Sequence, residues 1–358
     1  MLKIVKRIAL AFLFALPIVS ESYTIAYSPT GAGQPLVFVL DSMPLSQFSA
    51  VTWSQLQNAL LIQSSYSNHL DDLFYRKCCG KWNLWIDGMG QWLGQDTDPD
   101  QQFGYRDFTG GFTLGVDKCY KNLSIGGALS FTRSSLDWNE AAGDATINSY
   151  YGGIYSRWNN DLFYVNGIML GAYNDYDVAR HIRVRLNNLR AVSDHHGWEA
   201  LAGIESGVML EKLFCGTDLI PFAGADYVYL GQQGYTESGA FSGNLRVEGR
   251  NDQLFQGQIG VQFLHRFYSG CWMIAPDLSL SYINQTPIAI HDYEDTVISL
   301  NHQFNVAGWS FERNLGALSF SLNFIDLDGI TAFKLRYDGQ YGGNYWTQTG
   351  SLTCNLRF

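Results

Sequence analysis

The sequence predicts an all-β fold: a twelve-stranded antiparallel transmembrane β-barrel with one N-terminal α-helix threading its lumen. Three observations predict it. From about residue 80 onward, segments of roughly 11–18 residues alternate apolar and polar side chains, against five or six for an ordinary strand. Their connections alternate between long and short, the layout of barrels that cross an outer membrane. The closing residues, Ser351-Leu352-Thr353-Cys354-Asn355-Leu356-Arg357-Phe358, alternate without a break and stop on an aromatic. A final strand does this when it must pair with the first to abolish an open edge.

Composition agrees. Charged residues make up 16% and aromatics 15%, with 37 glycines and 8 prolines, and mean hydropathy is −0.08. A soluble domain carries about 25% charged residues. Low charge at neutral hydropathy suits strands that are greasy on one face and polar on the other.

Residues 1–22 read as a secretory signal peptide. Lys3, Lys6 and Arg7 form a basic region, Ile8 to Val19 an apolar run too short to span a bilayer, and Ser20 and Ser22 suit cleavage before Tyr23. The length of the run and Pro17 disfavour a membrane anchor. Removing three cations and Glu21 turns 23 basic and 33 acidic residues into 20 and 32. That balance argues against a nucleic-acid partner. Residues 23–45, with Pro29, Gly31, Gly33, Pro35 and Pro44, hold no sustained period and read as a short extended arm.

Over residues 46–77, Phe48, Val51, Leu56, Leu60, Leu70, Leu73 and Phe74 recur at roughly helical spacing among Ser, Gln and Asn. Pro44 and Ser46 mark the start, and Cys78-Cys79-Gly80 the stop. Such a polar helix is either an amphipathic surface helix or one lying in a wet channel.

Residues 78–358 form the barrel, with strands expected near 80–94, 106–118, 122–136, 145–158, 161–176, 194–211, 217–231, 251–267, 271–284, 314–324, 329–339 and 344–358. Long connections fall at 95–105, 137–144, 177–193, 232–250 and 285–313, and only the hairpin at Gly342-Gly343 breaks the rule. A soluble sandwich would share the local alternation. Strand length, connection length and the Trp82, Trp92, Trp158, Tyr227, Tyr229, Tyr282 and Tyr337 girdles favour a membrane. Twelve strands about 4.7 Å apart, tilted about 40°, close at a diameter of about 23 Å and leave a lumen of about 10–13 Å. One helix, about 10–12 Å across, fits it.

On the polar strand faces, Asp87, Asp117, Lys334, Arg336 and Arg357 are expected to point inward, where they solvate the lumen and dock the helix, or set ion selectivity in a pore. Cys78, Cys79, Cys119, Cys215 and Cys271 fall at the short-turn end, in an oxidising compartment. Cys119 with Cys78 or Cys79, and Cys215 with Cys271, would join strand ends; free or intermolecularly linked thiols are the alternative. Cys354 is expected to face lipid. No C-x-x-C pair, His partner, G-x-S-x-G or H-E-x-x-H is present, so no metal, cofactor or enzymatic activity is expected. Asp194-His195-His196 and His291-Asp292 read as solvated loop residues. Asn68, beside His69 and Asp71, could cyclise and cleave the chain, but reads as part of a polar helix face.

Several blocks resemble the translocator β-domain of autotransporters, the type V secretion proteins. Phe112-Thr113-Leu114-Gly115-Val116-Asp117 is similar to that family's G-x-x-x-G-x-D segment, and Leu123-Ser124-Ile125-Gly126-Gly127-Ala128 to the strand after it. Tyr150 to Tyr155 resembles its Y-G-x-Y strand. Pro221-Phe222-Ala223 with Gly234 to Ala240 resembles its P-x-A and G-[FY]-x-E-x-G-A block. Phe304, Gly308, Tyr337-Asp338-Gly339 and Phe358 follow its closing hairpins. The paired cysteines resemble those of chlamydial polymorphic outer-membrane proteins. The resemblance covers residues 46–358. It implies an outer-membrane barrel, monomeric and surrounded by lipid, inserted by the barrel-assembly machinery that reads Phe358. It implies a translocator for a segment displayed at the cell surface, here expected to be the short arm. A helix-plugged pore and a loop-based adhesin or surface antigen are the competing functions.

Overall fold

In hydrocarbon, every backbone N–H and C=O must find a protein partner, which leaves a strand-built wall no choice but to close. The computed structural model, which describes residues 46–72, 80–97, 104–160, 162–184, 187–214, 216–289, 293–297, 302–306 and 312–358, shows that closure. Twelve long strands follow one another: β1 Trp82–Gln95, β2 Tyr105–Tyr120, β3 Leu123–Trp138, β4 Gly143–Asn159, β5 Phe163–Val184, β6 Asn187–Val208, β7 Thr217–Gln232, β8 Arg250–Leu264, β9 Trp272–Ala289, β10 Asn314–Asp326, β11 Thr331–Gly342 and β12 Tyr345–Arg357. Each pairs antiparallel with the next. β12 returns to β1 in a continuous register from Asn83–Arg357 to Gln95–Tyr345. Phe358 and Trp82 complete the seam by exchanging backbone hydrogen bonds of 3.0 Å in both directions.

Parity then sorts every side chain. The outer wall exposes large apolar groups such as Leu129 (69%), Ile154 (62%) and Ile259 (61%), while Ser130, Tyr155 and Gln262, at positions of the opposite parity on the same strands, are buried inside. Aromatics ring both ends of the outer wall: Trp82, Tyr120, Trp158, Phe163 and Phe358 at the short-turn end, Trp92, Tyr150, Tyr173 and Trp198 at the other. Lys118 Nζ lies 5.0 Å from the Trp82 ring centroid, its stem on the apolar wall and its charge at the interface. No described helix is long and apolar enough to cross a membrane; the strands do the crossing.

The helix α1, Ser46–Asp71, occupies the lumen. It is shorter than the expected 46–77: it closes with a single 3₁₀ residue at Asp72, and residues 73–79 lie outside the described residues. So do the expected signal peptide and the whole of the arm, residues 23–45. Two expected loops are corrected. Residues 177–193 are mostly strand, because β5 and β6 continue pairing from Tyr176–His195 to Val184–Asn187. Their charged side chains gave a loop-like composition. The extension is held instead by the loop after β7: Arg180 donates from Nε and Nη2 to Glu237 at 3.0 and 2.5 Å, and Glu237 also accepts from the Leu245 backbone at 2.9 Å. Likewise 137–144 shrinks to a one-turn 3₁₀ link between β3 and β4. The connections after β7 and β9 contribute a small four-stranded sheet at the long-loop end, Tyr235–Thr236, Leu245–Val247, Tyr293–Val297 and His302–Val306.

A wall that faces hydrocarbon penalises charge, and a lumen tolerates it. Leu129→Arg is therefore expected to destabilise the barrel by about 2–4 kcal/mol, and Gln262→Glu by much less. Reversible urea unfolding in lipid vesicles measures the difference.

Candidate functional site

The lumen is the site. A helix this polar finds partners on the wall along its whole length, and its direction is fixed by them. Near its start, Thr52 Oγ1 lies 3.3 Å from Gln232 Oε1 and Arg250 Nη2 donates to the Phe48 carbonyl at 3.5 Å. Both partners sit at the long-loop ends of β7 and β8. One turn further, Ser54 donates to Asp107, and Gln55 Nε2 donates to Glu199 at 3.0 Å and to Tyr151 Oη at 3.0 Å. Asn58 donates to Thr132 at 2.8 Å, and Ser65 to Asp87 at 2.6 Å, which also accepts from Thr353 at 2.8 Å.

The short-turn end carries the charge. Asp71 and Asp72 sit at the helix C-terminus, where the macrodipole is negative and carboxylates are unfavourable. The wall supplies the cations. Arg157 donates to the Leu70 carbonyl at 2.9 Å and reaches Asp71 at 3.5 Å. Lys334 donates to the Asn68 carbonyl at 2.9 Å and to Asp72 at 3.0 Å. Asn355 donates to the other Asp72 oxygen at 2.8 Å. Two barrel side chains thus bond the last carbonyls that a helix cannot bond within itself.

Beside this clamp His69 Nε2 lies 2.5 Å from Asp117 Oδ1, and its ring stacks on Trp85 at 4.3 Å. Asp117 also accepts from Asn83 at 3.2 Å and from Tyr155 Oη at 3.3 Å; Trp85 Nε1 donates to that hydroxyl at 2.6 Å. This explains the Gly115-Val116-Asp117 block locally. A Cβ on Gly115 would lie 2.4 Å from the Trp85 indole, so glycine there lets the indole lie flat under His69 while Asp117 binds it.

The predicted lumen charges divide. Asp87, Asp117 and Lys334 hold the helix. Arg336 is gripped by Asp338, Nε lying 2.9 Å from both carboxylate oxygens, and Arg357 is buried at the short-turn end. Asn68 donates to Ser64 at 3.4 Å. Cys119 is disulfide-bonded; Cys78, Cys79 and Cys215 lie outside the described residues. Cys271 carries a free thiol, which corrects the expected Cys215–Cys271 bridge. Cys354 is free on the outward parity of β12. His195 is no solvated loop residue: it is 6% exposed, stacked between Tyr176 at 4.7 Å and Tyr235 at 4.1 Å. His196 faces outward and pairs with Asp175 at 2.7 Å. His291 and Asp292 lie outside the described residues.

Sequence reasoning missed Arg157, Asp72 and an apolar ring. The ring surrounds Trp53 and Leu56 at the long-loop end, with Leu136, Ile147, Tyr176, Leu230, Leu254 and Leu315 among its wall residues. Parity would have placed Arg157 inward, between Ser156 and the lipid-facing Trp158. The ring interrupts a face read as polar throughout.

Removing one partner of a buried ion pair strands the other. Lys334→Met is expected to destabilise the folded protein by about 3–5 kcal/mol. Lys334→Met with Asp72→Asn should recover most of that loss. Unfolding in detergent for the two single variants and the double variant measures the coupling.

The autotransporter β-domain profile matches residues 84–338. Among curated proteins, outer membrane protein A of Rickettsia rickettsii is 24% identical over 277 residues, covering 71% of this chain and 12% of its own length. Esterase EstA of Pseudomonas aeruginosa is 23% identical over 291 residues, covering 78% and 43%. The chain thus spans less than half the length of either relative. Among solved structures, the translocator domain of the autotransporter NalP from Neisseria meningitidis superposes with a TM-score of 0.67 at 14% identity, over 88% of this chain and all of that one. The β domain of the Bordetella autotransporter BrkA gives 0.54 at 12% identity, over 76% and 98%. A closed twelve-stranded wall, a single luminal helix and a family match over most of the barrel lead to one conclusion: the chain belongs to the autotransporter β-domain family.

Proposed function

We propose that this translocator barrel, an outer-membrane protein by family, holds residues 23–45 at the cell surface as the exported segment. The observation that carries the reading is the polarity of α1. Its start lies among the long-loop ends of β7 and β8, and its end is clamped by Arg157, Lys334 and Asn355 at the short-turn end. Short turns face the periplasm in such barrels. A chain that precedes Ser46 is then handed to the outside, and the clamp keeps it attached.

On this reading residues 1–22 are removed on export, and the barrel is monomeric. Its assembly machinery engages the last strand, whose Phe358 is 67% exposed on the lipid face. The barrel itself carries out no chemistry. The esterase named among its relatives is matched over 43% of its length, which assigns no activity to this chain.

An epitope tag inserted between Gly31 and Gly33 is expected to be stained by antibody on intact cells. Deleting Phe358 should lower that signal together with the amount of folded barrel. A tag reached only after the outer membrane is permeabilised would overturn the assignment.

A further inference from the structure

The outer wall carries a dent. Three small residues lie side by side on its outward face, because Gly152 of β4 opposes Gly171 of β5, and Gly171 opposes Ala200 of β6. Two residues toward the long-loop end, the same strands present Tyr150, Tyr173 and Trp198, again mutually opposed. Two residues toward the short-turn end they present Ile154, Met169 and Ala202. Between these rows runs a groove of about 630 Å³ that reaches Tyr227 and Tyr229 of β7. Small-molecule sites enclose about 300–1,000 Å³. Crowding does not require glycine here: a Cβ would meet nothing closer than 3.6 Å at Gly171 and 3.5 Å at Gly152. Glycine inside a strand weakens it and marks places where a ligand or another backbone comes close.

Beyond the aromatic row the wall turns acidic. Asp137 of β3 opposes Asp144 of β4, and Asp177 of β5 opposes Asp194 of β6. All four are exposed. Like charges directly opposed on a sheet repel, and among the described residues none of the four has an ion-pair partner. Nearby Asp175 is taken by His196, and His181 Nδ1 lies 3.2 Å from the Ala141 carbonyl. The exposed cations on this stretch of β3 to β6 are Arg133 and Arg190. Four unpaired carboxylates therefore outnumber two guanidiniums. Asp144, Asp177 and Asp194 line a cleft of about 530 Å³, which Arg190 also lines.

Groove and cleft share the same strands. From Gly171 to Asp177 is about 20 Å along β5, or about 15 Å along the membrane normal at a tilt of about 40°. One leaflet, half of a bilayer about 40–45 Å thick, covers that depth. An apolar groove below a net-negative cleft is complementary to an acyl lipid whose headgroup bears an ammonium. A second copy of this chain is a poor occupant, since a two-fold contact would set the same carboxylates against each other.

We propose that the outward face of β4 to β6 seats one such lipid, its acyl chain in the groove and its ammonium among Asp144, Asp177 and Asp194. The proposal rests on the membrane-spanning barrel described above. A heat-dependent shift of the folded barrel on gels reports that reading separately.

The full chain, in neutral detergent with EDTA, is offered equal amounts of phosphatidylethanolamine and phosphatidylglycerol with identical acyl chains. Native mass spectrometry counts what stays bound. Phosphatidylethanolamine is expected to be retained at least fivefold over phosphatidylglycerol. Asp177→Asn with Asp194→Asn should bring that ratio close to one. Gly171→Leu with Ala200→Leu should cut retention of phosphatidylethanolamine at least fivefold while the heat-dependent shift persists. If that pair does not fold, Ala200→Leu alone replaces it. Four outcomes overturn the proposal: no preference in the unaltered protein, a preference unchanged in the folded asparagine variant, retention unchanged in the folded leucine variant, or lipid bound only when calcium replaces EDTA.

Discussion

The demand that no backbone group be left unpaired in hydrocarbon controls this structure. It costs several kcal/mol to strand one polar group there, so the first strand and the last cannot both be edges. The pairing of β1 with β12, carried to the terminal residue by Phe358 and Trp82, is the solution. Once the ring is closed, register decides everything else. A slip of one residue in any strand would turn Asp87, Asp117 or Lys334 toward lipid and Leu352 or Ile86 into the lumen. The alternation that makes the wall greasy outside is thus the same fact that makes the lumen able to receive a polar helix.

The lumen in turn needs the helix to be charged correctly. Asp71 and Asp72 at the C-terminal end of α1 would be unfavourable on an isolated helix, and they become attachment points only because Arg157 and Lys334 arrive from opposite parts of the wall. Hydrogen-bonded pairs at the short-turn end and an apolar ring at the long-loop end are two different ways of burying one helix. The first gives direction and a fixed depth. The second excludes water from the mouth.

Much of this was legible in the residues. The parity of Trp82, Leu84 and Ile86 against Asn83 and Asp87 put the correct face toward lipid, and the twelve strands fell where alternation put them. The ends of strands were harder to read. Arg180, His181 and Arg183 look like loop residues, and it takes the distant Glu237 to bury Arg180 and keep β5 and β6 paired beyond the girdle. The helix-clamping function of Lys334 was not separable from that of Arg336 by sequence, since both stand at inward positions; a contact with Asp72, 262 positions away, distinguishes them. The apolar ring was invisible because its members come from many strands, each contributing a single inward aliphatic or aromatic residue. The free thiol of Cys271 was not legible either, because spacing along the chain does not say which cysteines pair.

Closure of the ring is open to direct chemical test. Gly90 and Gly350 are directly opposed on β1 and β12, with room for a Cβ at both positions; opposed residues in an antiparallel pair lie about 4.5–5.5 Å apart, within disulfide reach. In outer membranes carrying the Gly90→Cys, Gly350→Cys variant, peptide mapping after mild oxidation should recover a disulfide joining the two substituted positions within one chain. Bridges found only between two chains, with both positions otherwise unlinked, would contradict a wall closed by its first and last strands.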